Sequence, residues 1–289
     1  KVRPDYVLVH GDTTTSTAAA LASFYAGIKV GHVEAGLRTH NLLSPWPEEA
    51  NRQITGRLAS LHFAPTPLSR DNLLKENATA SLIHVTGNTV IDALLMVTAQ
   101  LDRGSAFDAE FREQFRYLDP SKRLILVTGH RRENHDGGIE RVCEALAMIS
   151  RRNDVQIVYP VHLNPKVKRV ADKVLKGVDN VFLVDPLSYL PFVWMLGASH
   201  IVITDSGGLQ EEAPSLGKPV LVTRDTTERP EAIDAGTVKL VGTDTAQLIS
   251  SVTELLDDNR LYRQMSMAHN PYGDGKAAGR ILKILAEEV

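Results

Sequence analysis

Apolar, β-branched runs recur along the chain and alternate with stretches of helical spacing. YVLVH (6–10) is followed by an alanine-rich helical stretch, TTTSTAAALASFYAG. KVGHV (29–33) leads into a loop containing SPWPEE and a helix from about Glu49 to Ala59. LHFAP and LIHVTG read as shorter strands, and NTVIDALLMVTAQL as a helix with Asn88 as its N-cap. Residues 102–121 carry no clear period beyond a short amphipathic piece, and the inter-domain connection is placed in or before them. A second series follows: RLILVTG (123–129), VQIVYPV (155–161), VFLVD (181–185), HIVIT (200–204), PVLVT (219–223) and VKLVG (238–242), with helical segments between. Such alternation predicts α/β architecture with parallel sheets built from right-handed βαβ units. NPYGDG (270–275) is a turn cluster, and KAAGRILKILAEEV closes the chain as a helix.

Composition narrows the function classes. The chain has 289 residues, enough for two ordinary domains. Its formal net charge of −3 gives no electrostatic footprint for DNA or RNA. Cys143 is the one cysteine, so an intrachain disulfide and a cysteine metal cluster are excluded. It lies in IERVCEALAMI, whose spacing is helical, and reads as a small buried hydrophobe. No signal-peptide pattern and no apolar run of about 18 residues is present, so the expectation is a cytoplasmic protein without a membrane span.

In an open parallel sheet, ligands bind beyond the carboxyl ends of the strands. Beyond the first two strands come His10-Gly11-Asp12 and Glu34. The second series ends in His130-Arg131-Arg132-Glu133, His162, Asp185, Asp205-Ser206-Gly207-Gly208 and Arg224. Any one of these could be a solvated loop residue, but repetition over seven strands points to a site. Two such edges facing each other across a cleft would bring the acids, bases and cations together. DSGGLQEE reads as a strand end, a tight glycine turn and a helix start, a place that suits phosphate oxygens. It is neither a dinucleotide fingerprint nor a P-loop. Glu211 and Glu212 either favour the helix dipole or accept from a sugar's vicinal hydroxyls. Arg224 and Arg229 could neutralise a diphosphate.

HGDTTTSTAAALASFYAGIKVGHVEAGLRT, SPWPEEANRQITGRLA, GNTVIDALL, VTGHRREN, YPVHLNP, DPLSYLPFVWML, TDSGGLQEEAPSLGKPVLVTRDTTERPEA and NPYGDG together resemble the bacterial non-hydrolysing UDP-N-acetylglucosamine 2-epimerases. The resemblance runs from Asp5 to the C-terminal helix. It implies a glycosyltransferase-B-like fold of two Rossmann-like domains: residues 1–90, residues 91–275 holding the nucleotide, and a helix, 276–289, returning to the first domain. It implies interconversion of UDP-GlcNAc and UDP-ManNAc by inversion at C2, with UDP eliminated and re-added to a bound 2-acetamidoglucal, in polysaccharide biosynthesis. Neither a metal nor a nicotinamide cofactor is implied. By similarity Asp12, Glu34, Glu48 and His130 fall at catalytic positions. Ser206, Gly207, Gly208, Glu212 and Arg229 match the UDP site, with Phe192 near the uracil. A homodimer is implied, as is a second UDP-GlcNAc acting as an activator, with Arg132 and His162 as its contacts.

Two departures stand out. Members of the family begin with a further βα region carrying a Gly-Thr-Arg-Pro-Glu loop, whereas this chain opens on Lys1 and reaches a strand within five residues. The N-terminal domain is therefore expected to be truncated. Leu187 stands where the family can carry a glutamine beside the nucleotide. Other functions share the pocket: a hydrolysing epimerase, which releases UDP with water; a glycosyltransferase of the same fold, needing an acceptor groove and one base; and a non-catalytic nucleotide-sugar binder. Three carboxylates with His130 suit proton traffic at carbon better than acceptor activation does.

Overall fold

The computed structural model describes residues 2–102, 104–131, 134 and 136–288. The chain divides into two compact units, Lys1–Leu95 with Pro271–Val289, and Met96–Asn270. The sequence reading put these junctions at 90/91 and 275/276. The first changeover falls instead inside a helix, and the turn NPYGDG divides between the units after Asn270.

The first unit runs β1 (Tyr6–His10), α1 (Thr14–Tyr25), β2 (Lys29–Val33), α2 (Glu48–Leu58), β3 (Leu61–Ala64), α3 (Pro67–Lys75), β4 (Ile83–Val85) and α4 (Thr89–Gln100), whose end passes into the second unit. Its four strands lie in sequence order, all parallel. Helix starts follow local chemistry: Thr13 and Thr66 cap α1 and α3 by accepting from the amides of Ser16 and Ser69, each at 3.1 Å. The closing helix, α13 (Ala277–Glu288), belongs to this unit. Its Ile281 packs with Val33, Leu61 and Phe63, and its first amides, Ala277 and Ala278, donate to Asp92 at 3.1 and 2.9 Å.

In the second unit the end of α4 is followed by α5 (Ala106–Gln114), the amphipathic piece in the stretch of weak periodicity. Ser105 caps it, and Phe111 and Phe115 bury their rings. Then follow β5 (Arg123–Thr128), α6 (Gly138–Ile149), β6 (Val155–Pro160), α7 (Pro165–Leu175), β7 (Val181–Val184), α8 (Tyr189–Ala198) and β8 (Ile201–Thr204). α9 (Leu209–Ser215), β9 (Val220–Val222), α10 (Pro230–Asp234), β10 (Val238–Leu240), α11 (Thr245–Asp257) and α12 (Asn259–Ser266) complete it. The sheet order is β10-β9-β8-β5-β6-β7, all parallel. Renumbered within the unit this is 3-2-1-4-5-6, the doubly wound order, which reverses between β5 and β8. Both sheet faces are covered, so Ile125, Leu126 and Ile157 are inaccessible. Each such side chain contributes about 1.5–3 kcal/mol by leaving water. Cys143 is buried in this core, as its helical spacing indicates, and burial pushes its thiol up to about 12.

Candidate active site

In the first unit, β1 and β2 pair with His10 opposite Val33. The residues just beyond both strands therefore emerge side by side. The Gly11 amide donates to the Val33 carbonyl at 2.9 Å. Gly11 has φ +64, and a Cβ there would lie 3.0 Å from Glu34 Oε1. Glycine thus serves both the left-handed turn and the close approach of a carboxylate. Glu34 itself holds φ 65, rare for a residue with a side chain and often a mark of a functional position. Its Oε2 accepts from Asn88 Nδ2 at 2.7 Å. Asp12 pairs with the buried guanidinium of Arg52, whose Nη1 reaches Glu49 Oε2 at 3.1 Å. Glu49 is fully buried and accepts from the amides of Thr39 and His40, each at 3.0 Å, so it braces the loop before α2. Glu48 opens α2, and its Oε2 is buried without a hydrogen-bond partner among the described residues. His32 lies beneath, bonded through Nε2 to the Gly11 carbonyl at 2.8 Å. Burial drives its imidazole down to about 3, so it donates there as a neutral ring.

In the second unit, Thr128 and Thr204 are register partners, with hydroxyls 2.6 Å apart. This pair places His130 and Asp205 beyond adjacent strand ends at the point where the strand order reverses. Asp205 is buried. Its Oδ2 accepts from the amides of His130 (2.9 Å) and Arg131 (2.8 Å) and from Asn134 Nδ2 (3.2 Å). Its Oδ1 faces His130 Nδ1 at 3.5 Å. The carboxylate therefore shapes the β5 loop and aims the half-exposed His130 ring, which stacks on His162 with centroids 5.2 Å apart.

The glycine turn follows directly. The Ser206 amide donates to Thr204 Oγ1 at 2.9 Å. The amides of Gly207, Gly208 and Leu209 have no acceptor among the described residues. A Cβ on Gly207 would lie 2.5 Å from Arg229 Nη1 and 2.7 Å from Glu228 Oε1. Those atoms cannot easily yield, because they bind one another at 2.5 Å and Arg229 Nε is held by Glu211 Oε1 at 2.5 Å. Arg224 Nη1 adds a further bond to Glu228 Oε2 at 2.9 Å. The buried cluster thus stands directly behind the turn. Glu212, one turn into α9, accepts from the Tyr189 hydroxyl at 2.7 Å. Burial raises its carboxyl above the ordinary range, against the pull of that bond. Phe192 is half-buried on α8, three residues on from Tyr189.

Within the first unit the structure sets Asp12 and Glu34 beyond adjoining strand ends, and Glu48 opens α2, the helix whose Arg52 pairs with Asp12. Within the second it gathers His130, His162, Ser206, Gly207, Gly208, Glu212 and Arg229. Arg132 lies outside the described residues. Arg229, read from the sequence as a cation for a diphosphate, is engaged by Glu211 and Glu228. Arg52, Asn88, His32, Asn134, Tyr189 and Glu228 were not picked out as site residues. Asn88 had a local reading as the N-cap of α4, but its Oδ1 is a long 3.5 Å from the Val90 amide, and its Nδ2 serves Glu34 instead. The remaining five act through partners 21 or more residues away or through a neighbour's buried charge, which spacing does not reveal.

Comparison with known proteins identifies the family and supports the fold. A family model described as UDP-N-acetylglucosamine 2-epimerase matches residues 1–286. The chain is 59% identical over 284 residues to a UDP-N-acetylglucosamine 2-epimerase of Yersinia pestis, covering 98% of this chain and 76% of that protein. The enzyme of that name from Escherichia coli (strain K12) gives the same identity and coverage, 59%, 98% and 76%. The crystal structure of UDP-GlcNAc 2-epimerase from Neisseria meningitidis bound to UDP-GlcNAc superposes with a TM-score of 0.96 at 50% identity, covering 98% of this chain and 76% of that one.

Proposed function

The chain belongs to the UDP-N-acetylglucosamine 2-epimerase family, and from that membership we propose that it interconverts UDP-GlcNAc and UDP-ManNAc by elimination and re-addition of UDP. The observation that carries the reading is that one chain holds both chemistries the reaction needs. Asp12 and Glu34 stand beyond adjoining strand ends with Glu48 at the start of the helix that pairs with Asp12, and a turn of amides without an acceptor among the described residues stands at the switch point of a doubly wound sheet. The Neisseria relative, at 50% identity, is bound to UDP-GlcNAc, which supports the same substrate here.

In the proposed reaction a carboxylate removes the C2 proton, and the C–H electron pair forms the C1–C2 double bond. The C1–O bond breaks and its electrons leave on the β-phosphate of UDP. The bound intermediate is 2-acetamidoglucal. Re-addition returns UDP oxygen to C1 and a proton to the opposite face of C2, so a second carboxyl group is required. Asp12, Glu34 and Glu48 supply these groups. His130, oriented by Asp205, donates toward the departing diphosphate, whose growing charge needs a positioned donor. The Gly207, Gly208 and Leu209 amides cradle the phosphates, Glu212 accepts from the ribose, and Phe192 lies against the uracil. Ser206 and Arg229 complete the pocket around the turn.

The same reading extends to a cytoplasmic homodimer, and to a second UDP-GlcNAc as activator contacted by Arg132 and His162. The test is nuclear magnetic resonance of UDP-GlcNAc incubated with the protein in D2O. UDP-ManNAc carrying deuterium at C2, without accumulation of free UDP, is the expected result. Stoichiometric free UDP with free sugar would instead identify the hydrolysing reaction, and UDP-GlcNAc left unlabelled and unconverted would remove the epimerase reading.

A further inference from the structure

A second cavity lies at the opposite end of the sheet from the glycine turn. It is 740 Å³ in volume and sits wholly within the unit 96–270. Its walls come from the amino-terminal ends of the strands: Lys122 precedes β5, Gln156 is the second residue of β6, and Lys218 precedes β9. The nucleotide loop, by contrast, follows the carboxyl ends of β5 and β8. The volume falls within the ~300–1,000 Å³ typical of small-molecule sites.

The lining is mostly apolar and aromatic. Phe115 and Leu124 are buried beneath it, and Leu101, Val193, Trp194 and Leu216 complete the greasy wall. The Phe115 and Trp194 rings are stacked with centroids 5.4 Å apart and planes 18° apart. Their geometry is fixed by Asp108, which accepts the Trp194 indole N–H at 2.9 Å and holds Arg112 at 2.9 Å. Aromatic faces locked in this way form a rigid flat wall.

The polar groups are nearly all spent. Arg112 is paired with Asp108, Arg116 with Glu113 at 2.9 Å, and Lys122 donates to Asn180 Oδ1 at 2.6 Å. Gln156 and Asp119 bond each other's amide and carbonyl groups at 2.9 and 2.8 Å. Lys218 is the exception. Its ammonium makes no hydrogen bond or ion pair with the described residues, although it lines the cavity and is only partly exposed. Among the charged lining residues, four cations (Arg112, Arg116, Lys122, Lys218) face two carboxylates (Asp108, Asp119), so the surplus is positive. A half-buried ammonium without a partner is costly unless something anionic meets it. Burial accordingly draws the Lys218 amine below its ordinary value.

We infer that this cavity is a binding site for a small amphipathic carboxylate, its apolar body against Phe115 and Trp194 and its carboxylate on Lys218. The proposal is independent of the epimerase reading, since no residue of the nucleotide loop takes part. Gly197 provides a clean way to close the site. It lines the cavity from the last turn of α8, and a Cβ there would meet nothing within 4 Å. A larger side chain at 197 therefore projects into the cavity space without straining the helix.

Isothermal calorimetry on the full chain, with octanoate and the neutral 1-octanol as probes, tests the proposal. Octanoate is expected to bind at least about tenfold tighter than octanol, as a charge-assisted contact to an ammonium requires. Lys218→Met should erase that preference and leave octanol binding in place. Gly197→Leu should weaken both probes by about tenfold or more, because it fills the space both occupy. Saturating UDP should leave octanoate affinity unchanged. Equal affinity for the two probes, a preference for octanoate over octanol that survives Lys218→Met, octanoate affinity unchanged by Gly197→Leu, displacement by UDP, or no octanoate binding at all would each overturn the assignment.

Discussion

Asp12 and Glu34 emerge beside each other from neighbouring strands, yet they are held by different chemistry. Asp12 faces the buried guanidinium of Arg52, and Glu34 Oε2 accepts from the Asn88 side-chain amide. Removing the charge from each should therefore give different stability costs and similar catalytic costs. Asp12→Asn leaves Arg52 with Glu49 as its remaining carboxylate partner, and it should cost about 1–3 kcal/mol of stability. The cost stays below that of a fully buried pair because Asp12 remains 23% exposed. Glu34→Gln keeps an acceptor oxygen for Asn88 and should cost less than about 1 kcal/mol. Turnover should fall by ~10²-fold or more in both, the usual scale for a lost general acid or base. Urea unfolding beside the deuterium-exchange assay separates the two effects. Wild-type turnover in either variant would take that carboxylate out of the proton path.

At the scale of elements, the central strands of the first sheet carry a buried pair of imidazoles. His32 of β2 and His62 of β3 are register partners, exposed by 1% and 3%. Burial, with a smaller push from Arg38, draws His62 down to about 4, against the opposing pull of Glu76. Burial draws His32 to about 3, aided by His62, Arg38 and His10 and opposed by its bond to the Gly11 carbonyl. Both folded values lie below the ordinary ~6.5, so the unfolded chain takes up more protons as the pH falls. Their contribution is intact above about pH 6.5 and drains away below it, down to about pH 4 for His62 and about pH 3 for His32. At pH 5 each costs about 2 kcal/mol. His62→Gln should therefore make unfolding free energy less steep between pH 7 and pH 5, by roughly half of the histidine contribution. Slopes indistinguishable from wild type would show that the pair does not govern acid stability. Legibility from sequence divides along the same line. The ten strands of the described residues were visible as apolar, β-branched runs, most plainly in the second sheet, whose strands β5, β6 and β8 are buried on both faces. Gly11, Asp12, Glu34 and the turn at 206–208 were visible because strand ends are short and chemically marked. The register that puts His32 beside His62, or the α2 helix that swings Arg52 onto Asp12, depends on contacts far apart in sequence. Local pattern carries no record of them.

For the molecule as a whole, the two compact units divide the proposed labour. The unit 96–270 has its own six-stranded sheet, its own continuous core and every residue of the glycine turn, together with His130, Asp205, Glu212 and the arginine cluster behind Gly207. The bonds from Asp205 to the His130 amide, Tyr189 to Glu212, Ser206 to Thr204, and Arg229 to Glu211 and Glu228 all lie within this unit. Expressed alone, residues 96–270 should fold cooperatively and bind UDP within about threefold of the full chain, a difference of under ~1 kcal/mol. UDP at a hundred times its dissociation constant should then stabilise the isolated unit by about 2.7 kcal/mol, seen as a rise in its melting temperature. The same segment lacks Asp12, Glu34 and Glu48, so it should neither exchange deuterium into C2 nor form UDP-ManNAc. A folded segment that fails to bind UDP would show that the first unit supplies the dominant nucleotide contacts. A segment that still labels C2 would move the proton chemistry onto His130 and its neighbours, and with it the assignment of the three carboxylates.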